Sequence, residues 1–418
     1  MAARVLYLSA LQLHPTISGG TLRSFGLANA LRHHGLDVRV HSVTGRRADY
    51  LAGRASARQT WPAGTEEHVE RGMTSVMGWL TSYVAGVPPV SITAGFKAAA
   101  AFPGEALMSS SLRETLRWCD VVVADSPYVA PIFSAPSAAG KLRILNTHNV
   151  EHHLLGGPAH GTARVWRAIV RRLELRAAEA CDILVSCCAE DARFFETHAH
   201  VERTMVVPNG IDLRRFQGLE AFRARTRRDL GLGDDVRVFL FTGSQWGPNR
   251  EAFEFLRSVV AAHGPRLVEE RIHILVVGQV AGEPMRVPGM TATGRVDRVE
   301  PYFAAADAGL NPIVGGAGTN LKTCEFIAAR LPVVTTAFGA RGFRIEEGET
   351  GFLFEGDGLS AALSRVRRLF EEDPDRLRRV AAEAYSRNED LIDMNAGAQR
   401  LARAAGEGRA PGARPWPR

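Results

Sequence analysis

The segment 315–332, GGAGTNLKTCEFIAARLP, constrains the fold and the chemistry of this chain more than any other. Its glycines precede a helical apolar pattern, and the β-branched run 333–336 follows directly, an order typical of a parallel sheet. Thr319 and Asn320 are suited to cap the helix. Because a helix N-terminus carries free N–H groups and the positive end of a dipole, the segment predicts an anion site, with phosphate as the favoured anion.

Lys322 and Glu325 lie one turn apart in this predicted helix, and their spacing leaves two interpretations. They can form an ordinary ion pair on a solvated helix face. Alternatively, Lys322 binds a phosphate and Glu325 accepts hydrogen bonds from sugar hydroxyls. A cation in the first turn of a helix needs a negative partner, which both interpretations supply.

Length and composition limit the function classes. A chain of 418 residues predicts two domains of about 200 residues each. The net charge of +6 arises from 51 basic and 45 acidic residues, a small excess that fits an anionic substrate or an acidic membrane surface. The arginines are spread along helices without the interleaved aromatic residues that stack bases, which argues against a nucleic-acid partner.

The cysteines and the apolar runs indicate the compartment. Five cysteines form no paired CxxC spacing, so buried reduced thiols are expected instead of disulfides or a zinc site. The N-terminus shows no signal-peptide pattern, and no run of about 18 apolar residues predicts a membrane span. A cytoplasmic location is therefore expected.

The first half of the chain begins with a predicted βαβ unit. A strand at 4–9, the glycine pair Gly19 and Gly20, a helix at 21–34 and a strand at 37–43 follow one another. A glycine-rich turn after the first strand is where doubly wound sheets bind ligands. The pair lacks the spaced third glycine of the dinucleotide fingerprint, so NAD is not expected.

Three further stretches of the first half bear on function. Residues 45–103 show little pattern and predict an insertion that either shapes a specificity pocket or forms variable surface. The strand 142–145 ends in NTHNVEHH, which places His148 at the carboxyl edge of the predicted sheet. The helix 162–180 sets arginines against Val165, Ile169 and other apolar residues, so it is either a solvated face over a core stripe or an attachment to anionic lipid.

The second half repeats the alternation of strands and helices. Strands at 238–242, 273–277 and 308–310 precede the glycine-rich segment, and a late helix at 359–372 follows it. The expected fold class is α/β, with two doubly wound Rossmann-like domains facing a central cleft. The predicted domains are an N-terminal Rossmann-like domain at 1–208, a C-terminal Rossmann-like domain at 209–385, a helical region at 386–405 and a disordered tail at 406–418.

Several of these motifs, in this order, resemble glycosyltransferase family 4, which has the GT-B fold. They are the first glycine pair, THNVEHH, VVPNGIDLRRF, TGSQWGPNREAFEFL, GRV at 294–296 and GAGTNLKTCEF followed by LPVVTT. The resemblance covers about residues 4–354. It implies retaining transfer of a sugar from a nucleotide-diphosphate sugar, UDP- or GDP-linked, to a hydroxyl acceptor, without a bound metal or another cofactor.

The resemblance also implies that the N-terminal domain binds the acceptor and that the C-terminal domain binds the nucleotide sugar. It further implies roles for individual residues. Glu325 is expected to bind the ribose hydroxyls, the backbone at Val296 the base, and His148 to lie near the donor sugar, with His148, Lys322 and Glu325 as the catalytic set. The predicted donor-binding residues are Gly19, Gly20, Gly243, Ser244, Arg250, Val296, Gly316, Gly318, Thr319, Asn320, Leu321, Lys322 and Glu325. The predicted acceptor-binding residues are Arg23, Asn149 and Glu151.

The chain departs from the family pattern at two places. Ala317 stands where family members usually carry the first of two glutamates, and Ser244 stands where the first residue of a basic pair is common, with Arg250 at the second. Lys322 is expected to supply the missing charge. A subset of the family with a GxGTxLK stretch combines these changes, which favours an active variant.

Three hypotheses follow for the role of the protein. The leading one is transfer to a small molecule or a glycan precursor by a monomer or homodimer. The second is an enzyme at the inner membrane face that uses a polyprenyl-linked acceptor and binds lipid through the arginine-rich helix. The third is a catalytically silent scaffold for an active transferase.

Overall fold

The structure, a computed structural model, describes residues 2–14, 19–44, 57–61, 64–69, 105, 108–155, 161–316 and 318–407. The chain forms two compact units: the first contains residues up to Pro208 and those from Met394 onward, and the second is Asn209–Asp393. The predicted boundary at residue 385 is wrong, because it falls within the helix Pro374–Ile392. The chain leaves the second unit only after that helix and then returns to the first.

The first unit contains an eight-stranded sheet in the order β3-β4-β2-β1-β5-β6-β7-β8. Its strands are β1 (Arg4–Leu11), β2 (Asp37–Thr44), β3 (Ala57–Thr60), β4 (Glu66–Val69), β5 (Val121–Asp125), β6 (Leu142–Asn146), β7 (Ile183–Ser186) and β8 (Thr204–Val206). All neighbouring strands pair in parallel except β3 and β4. Because β1 lies between β2 and β5, the strand order reverses there, and such a switch point is where open α/β sheets bind ligands.

The second unit contains a seven-stranded sheet in the order β11-β12-β10-β9-β13-β14-β15. Its strands are β9 (Arg237–Thr242), β10 (Ile272–Val277), β11 (Met285–Val287), β12 (Met290–Ala292), β13 (Ala308–Asn311), β14 (Val333–Thr335) and β15 (Phe352–Leu353). The strand order reverses at β9, which lies between β10 and β13. The second unit therefore has its own switch point.

The α-helices connect and flank these strands. They are α1 (Gly19–His33), α2 (Ser110–Trp118), α3 (Gly161–Ala180), α4 (Ala189–His198), α5 (Glu220–Asp229), α6 (Gly247–Glu269), α7 (Glu300–Ala305), α8 (Leu321–Ala328), α9 (Leu359–Glu372), α10 (Pro374–Ile392) and α11 (Met394–Glu407). Every residue of β5 and β10 is buried, as expected for parallel strands covered on both faces. The two-domain, Rossmann-like fold predicted from the alternation is confirmed.

The last helix completes the core of the first unit. Ala398, Leu401 and Ala402 of α11 lie in the same buried cluster as Val5 and Tyr7 of β1. The predicted disordered tail at 406–418 begins too early, because α11 extends to Glu407. The remainder of that predicted tail lies outside the described residues.

The described part of the predicted insertion belongs to the sheet. Strands β3 and β4 extend the edge of the sheet. Trp61, in the segment that connects these two strands, is buried. Glu67 of β4 is fully buried, and its carboxylate accepts hydrogen bonds from the N–H of Leu13 (2.7 Å) and from Nε1 of Trp61 (2.9 Å). Residues 57–61 and 64–69 therefore belong to the edge of the sheet, while the interpretation of 45–103 as a specificity pocket or as variable surface stays a prediction. The other residues of 45–103 lie outside the described residues.

The structure also bears on the expectations about the cysteines and about membrane-spanning helices. All five cysteines are buried and free. Within the described ranges, none of the helices combines the length and the hydropathy that a membrane crossing requires.

Candidate functional site

In the first unit, polar side chains from three neighbouring strands converge on one carboxylate. Asp125 ends β5 and is buried, and its Oδ1 accepts hydrogen bonds from the Tyr7 hydroxyl (2.8 Å) and from Nδ2 of Asn146 (2.6 Å). His148 follows β6, and its Nε2 lies 2.9 Å from the same oxygen. Asp125 and Asn146 are the last residues of β5 and β6, and Tyr7 contacts Asp125 from the middle of β1, so the cluster lies at the switch point of the sheet.

The environment of Asp125 keeps its carboxylate ionised. Burial alone raises the pKa of Asp125, but the charge and hydrogen bond of His148, with hydrogen bonds from Ser24 and Asn146, lower it below the ordinary value. An ionised carboxylate at 2.9 Å orients the imidazole of His148. Ser24 Oγ also lies 3.2 Å from Nε2 of His148 and donates to the carbonyl of Gly20 at 3.0 Å. The predicted glycine turn is thereby linked to the predicted histidine.

Two polar atoms beside this cluster have no partner among the described residues. They are Oδ1 of Asn149 and Oγ of Ser126, both buried atoms. Ser126 directly follows Asp125 and has a φ of 136°, a backbone conformation that is rare for residues other than glycine. Strained backbone and unsatisfied polar atoms cluster at ligand sites, so both residues mark the surroundings of His148 as a candidate site.

The other two predicted acceptor residues lie in the interior. Arg23 is buried, and its guanidinium donates to the carbonyl of Val207 (2.7 Å) and to Oδ1 of Asn146 (3.0 Å). Glu151 is buried as well, and burial raises its pKa to about 7. Its N–H donates to Glu174 of α3 at 2.9 Å, so α3 holds the segment that carries His148.

In the second unit, Lys322 stands in the first turn of α8. Its Nζ donates to Oδ1 of Asn249 at 2.9 Å and lies 5.5 Å from the ring centre of Phe241. Asn249 in turn donates to the carbonyl of Ser244 at 3.2 Å, which links the turn after β9 to α8. Burial lowers the pKa of Lys322 to about 8. Lys322 is a desolvated cation near a helix N-terminus, a combination that favours anion binding.

Glu325 has a different partner from the one that its spacing suggested. Arg215 lies 3.5 Å from the Glu325 carboxylate and 3.1 Å from that of Glu300. The ion pairs found among the described residues do not include Lys322 with Glu325, so the interpretation as an ordinary pair is wrong. Burial raises the pKa of Glu325, and the charges of Arg215 and Lys322 oppose the rise.

The glycine-rich loop before α8 has left-handed backbone at Gly316 (φ 131°) and at Gly318 (φ 68°). A Cβ added to Gly316 would lie 2.8 Å from the ring of Trp246, so this position requires glycine. Asn320 precedes α8, but its side chain does not cap the helix as predicted; Nδ2 donates to the carbonyl of Phe338 at 3.3 Å. Ala317 lies outside the described residues.

The remaining predicted donor residues take varied positions. Val296 and Leu321 are half-buried and pack against one core cluster of the second unit. Thr319 accepts a hydrogen bond from Asn209 at 2.8 Å. Arg250 is exposed on α6. Gly243 directly follows β9, and a Cβ added to Gly278 would lie 2.4 Å from the carbonyl oxygen of Gly243. Gly19 begins α1 in the first unit.

Comparison with known families covers both units. A family model described as "Glycosyltransferase Family 4" matches residues 17–215, and one described as "Glycosyl transferases group 1" matches residues 236–372. The chain belongs to the family 4-like glycosyltransferases of the GT-B fold. The resemblance inferred from the motifs is thereby confirmed.

Curated relatives of this family 4-like chain include two that are each named D-inositol 3-phosphate glycosyltransferase. The protein from Geodermatophilus obscurus is 31% identical over 210 residues, covering 46% of this chain and 45% of its own length. The protein from Thermobispora bispora is 29% identical over 249 residues, covering 55% of this chain and 56% of its own length. The chain therefore spans about half the length of the curated relatives that it matches.

Solved structures share the fold along nearly the whole chain. Anabaena HepE in complex with UDP and glucose has a TM-score of 0.65 and 15% identity, covering 97% of this chain and 99% of its own. WaaG, a glycosyltransferase involved in lipopolysaccharide biosynthesis, has a TM-score of 0.63 and 18% identity, covering 97% and 100%. At these identities the likeness establishes the GT-B fold.

Sequence reasoning missed five residues of the two clusters. These are Asp125, Ser126, Asn146, Asn249 and Arg215. Asp125 and Asn146 are the last residues of β5 and β6, a signal that could have identified them because polar strand ends line ligand sites. Asn249 and Arg215 lie within motifs that carry the family resemblance, but nothing in their spacing indicates contact with Lys322 or Glu325.

Proposed function

We propose that this family 4-like protein transfers a sugar from a nucleotide-diphosphate sugar to a hydroxyl group, with retention of the anomeric configuration. The observation that carries the proposal is the desolvated Lys322 at the start of α8, behind a glycine loop at the second switch point. UDP is the first nucleotide to test, because the HepE structure contains UDP and glucose. No resident metal or other cofactor is part of the proposal.

The second unit supplies the donor contacts in this proposal. Lys322 and the N–H groups at the start of α8 bind the diphosphate, and glycines 316 and 318 allow the phosphates to approach the backbone. Glu325 accepts hydrogen bonds from the ribose hydroxyls and is held by Arg215. The pKa of Lys322 is about 8 without ligand, and the negative charge of a bound diphosphate would raise it and favour the charged form of this side chain.

The first unit supplies the acceptor contacts. Asp125 orients His148, and the unpartnered Oδ1 of Asn149 is available to an acceptor hydroxyl. Arg23 and Glu151 position these loops from the interior. The first acceptor to test is D-inositol 3-phosphate, because the curated relatives carry that substrate in their names.

The proposed step needs no enzyme nucleophile. The bond between the anomeric carbon and the leaving phosphate oxygen breaks, and the acceptor oxygen bonds to the same face of that carbon. The acceptor proton passes to the leaving phosphate oxygen. Lys322 and the α8 N-terminus stabilise the charge that develops on the diphosphate.

Nucleotide binding tests the proposal directly. A thermal-shift panel of UDP, GDP, ADP and TDP with their sugar conjugates, with and without EDTA, is run on the wild type, Glu325→Ala and Glu254→Ala. Glu254 is an exposed matched control on α6. One nucleotide at about 100 times its Kd should add about 2.7 kcal/mol to the free energy of unfolding in the wild type and the control only.

Either of two results would contradict the proposal. If no nucleotide stabilises the wild type at millimolar concentration, the silent-scaffold hypothesis takes first place. If EDTA abolishes the shift, the donor site requires a metal and the proposed metal independence is wrong.

A second candidate, an enzyme at an anionic membrane surface, rests on α3. Val165 and Ile169 lie one turn apart and are 58% and 42% exposed, although the apolar pattern placed them on a core stripe. The exposed arginines 164, 171 and 172 flank them. Exposed apolar residues beside arginines suit an interfacial helix.

Liposome flotation tests this second candidate. We expect the wild type to float with phosphatidylglycerol vesicles and not with phosphatidylcholine vesicles, and Val165→Ser with Ile169→Ser to abolish flotation. Val268→Ser is the matched control, because Val268 is 52% exposed on α6. Equal flotation of all variants, or none by the wild type, would exclude α3 as the attachment.

A further inference from the structure

Three metal-ligating side chains come together just after β7, apart from the residues assigned above. They are Cys187, Cys188 and Asp191, and their two sulfurs and a carboxylate oxygen all lie within 4.8 Å of one another. All three residues are at least 97% buried. Cysteine sulfur with a carboxylate oxygen is a ligand set suited to zinc, whereas magnesium and calcium prefer oxygen ligands alone.

The hydrogen bonds of Cys187 hold its sulfur next to Asp191. Cys187 Sγ donates to the carbonyl of His148 at 3.1 Å and lies 3.6 Å from Oδ2 of Asp191. Cys188 occupies the cap position of α4, but its side chain makes no capping hydrogen bond.

We propose that Cys187, Cys188 and Asp191 bind one Zn²⁺ ion, with water in the fourth position. As each sulfur–zinc bond forms, the thiol proton passes to solvent, so two thiolates and one carboxylate face the divalent charge. Because protons compete with the metal, the apparent affinity should rise with pH, by up to about tenfold per unit for each displaced proton.

Zinc binding to these three residues would change a hydrogen bond in the neighbouring candidate site around His148. Coordination takes the Cys187 proton away from the carbonyl of His148, which then loses its 3.1 Å hydrogen bond. We therefore expect zinc to slow sugar transfer, and this consequence alone rests on the proposed function. Metal binding itself can be measured without any activity, so the failure of one proposal is distinguishable from the failure of the other.

The test uses the full-length, untagged protein, because a histidine tag would bind zinc. The protein is dialysed with Zn²⁺ or Co²⁺, bound metal is counted by elemental analysis, and thiolate–cobalt charge-transfer bands are recorded in the near ultraviolet. The variants are Cys187→Ser and Cys188→Ser. Cys181→Ser is the matched control, because Cys181 is a buried free thiol just before β7 whose Sγ donates to the Ala178 carbonyl at 3.1 Å.

We expect one metal per chain and thiolate–cobalt bands in the wild type and Cys181→Ser, with both signals lost in the other two variants. Alkylation of the unmutated protein provides a measurement that does not depend on variant folding: zinc should lower the alkylation rate of the peptide containing residues 187 and 188 and leave the rate at Cys324, another buried thiol, unchanged. Absence of the bands in the wild type, their persistence in both variants, or no protection of that peptide would overturn the proposal.

Discussion

The clusters at the two switch points, one around Asp125 and the other around Lys322, carry opposite charges. In the first unit a buried carboxylate, Asp125, is ionised and surrounded by neutral donors and one histidine. In the second unit a cation, Lys322, donates to a neutral amide and lies over an aromatic ring, and burial lowers its pKa to about 8 although the charge of Glu325 opposes this shift. The first arrangement orients a side chain, whereas the second holds a cation near a helix N-terminus, where an anion can bind.

The largest effect is expected for Asp125→Asn. The variant removes the charge that orients His148, so we expect kcat to fall about 100-fold or more, while nucleotide affinity stays within about twofold. Asp120→Asn, at the opposite end of β5 on the surface, should leave both values unchanged. Steady-state kinetics and nucleotide titration measure the two quantities. An equal loss of affinity and kcat would show that the Asp125 cluster also contributes to nucleotide binding.

For Lys322→Met we expect a smaller effect, and the quantity measured is nucleotide affinity instead of kcat. Loss of one charge-assisted hydrogen bond should weaken nucleoside diphosphate binding about 10- to 100-fold. The free energy of unfolding should not fall, because the variant removes a desolvated cation. Calorimetric titration and urea unfolding check both statements, with the exposed Arg257→Met as the control. Unchanged affinity would mean that Lys322 does not contact the phosphates.

The third prediction concerns pH. Because the ligand-free pKa of Lys322 is about 8, nucleotide affinity should fall above pH 8, by up to about tenfold per unit, until the pKa of the bound form is reached. Between about pH 8 and the ordinary value of 10.5, the folded chain has already released this proton and the unfolded chain has not. This group therefore opposes folding at low pH, and that opposition is relieved as the pH rises. Lys322→Met should lack this fall in affinity, so the affinities of the wild type and the variant should differ most below pH 8 and converge above it.

The smallest effect is expected for the glycine loop. Gly316→Ala introduces a Cβ at 2.8 Å from the Trp246 ring and an unfavourable positive φ that costs about 1 kcal/mol, so nucleotide affinity should fall several-fold. Gly315→Ala is the matched control, because a Cβ there meets open space. Similar affinities for the two variants would show that the conformation of Gly316 is not needed for donor binding.

Local pattern predicted much of the fold. The helix after the glycine loop, the strands on either side of His148 and the helix 359–372 follow from periodicity and from turn residues near them in the chain. The edge strands β3 and β4 were missed, because four residues each carry too little periodic signal. Val165 and Ile169 were misplaced because apolar spacing defines a helix face and does not reveal what covers it.

The sequence by itself determined that this chain forms two α/β units, that glycines precede a helix with Lys322 and Glu325, and that His148 follows a strand. These features depend on residues within one or two turns of each other. Only the tertiary structure decided that Asp125, and not a neighbour in sequence, orients His148, and that Glu325 pairs with Arg215, 110 positions away. Strand order and packing create such contacts, and the spacing of residues along one element contains no information about which distant element lies opposite.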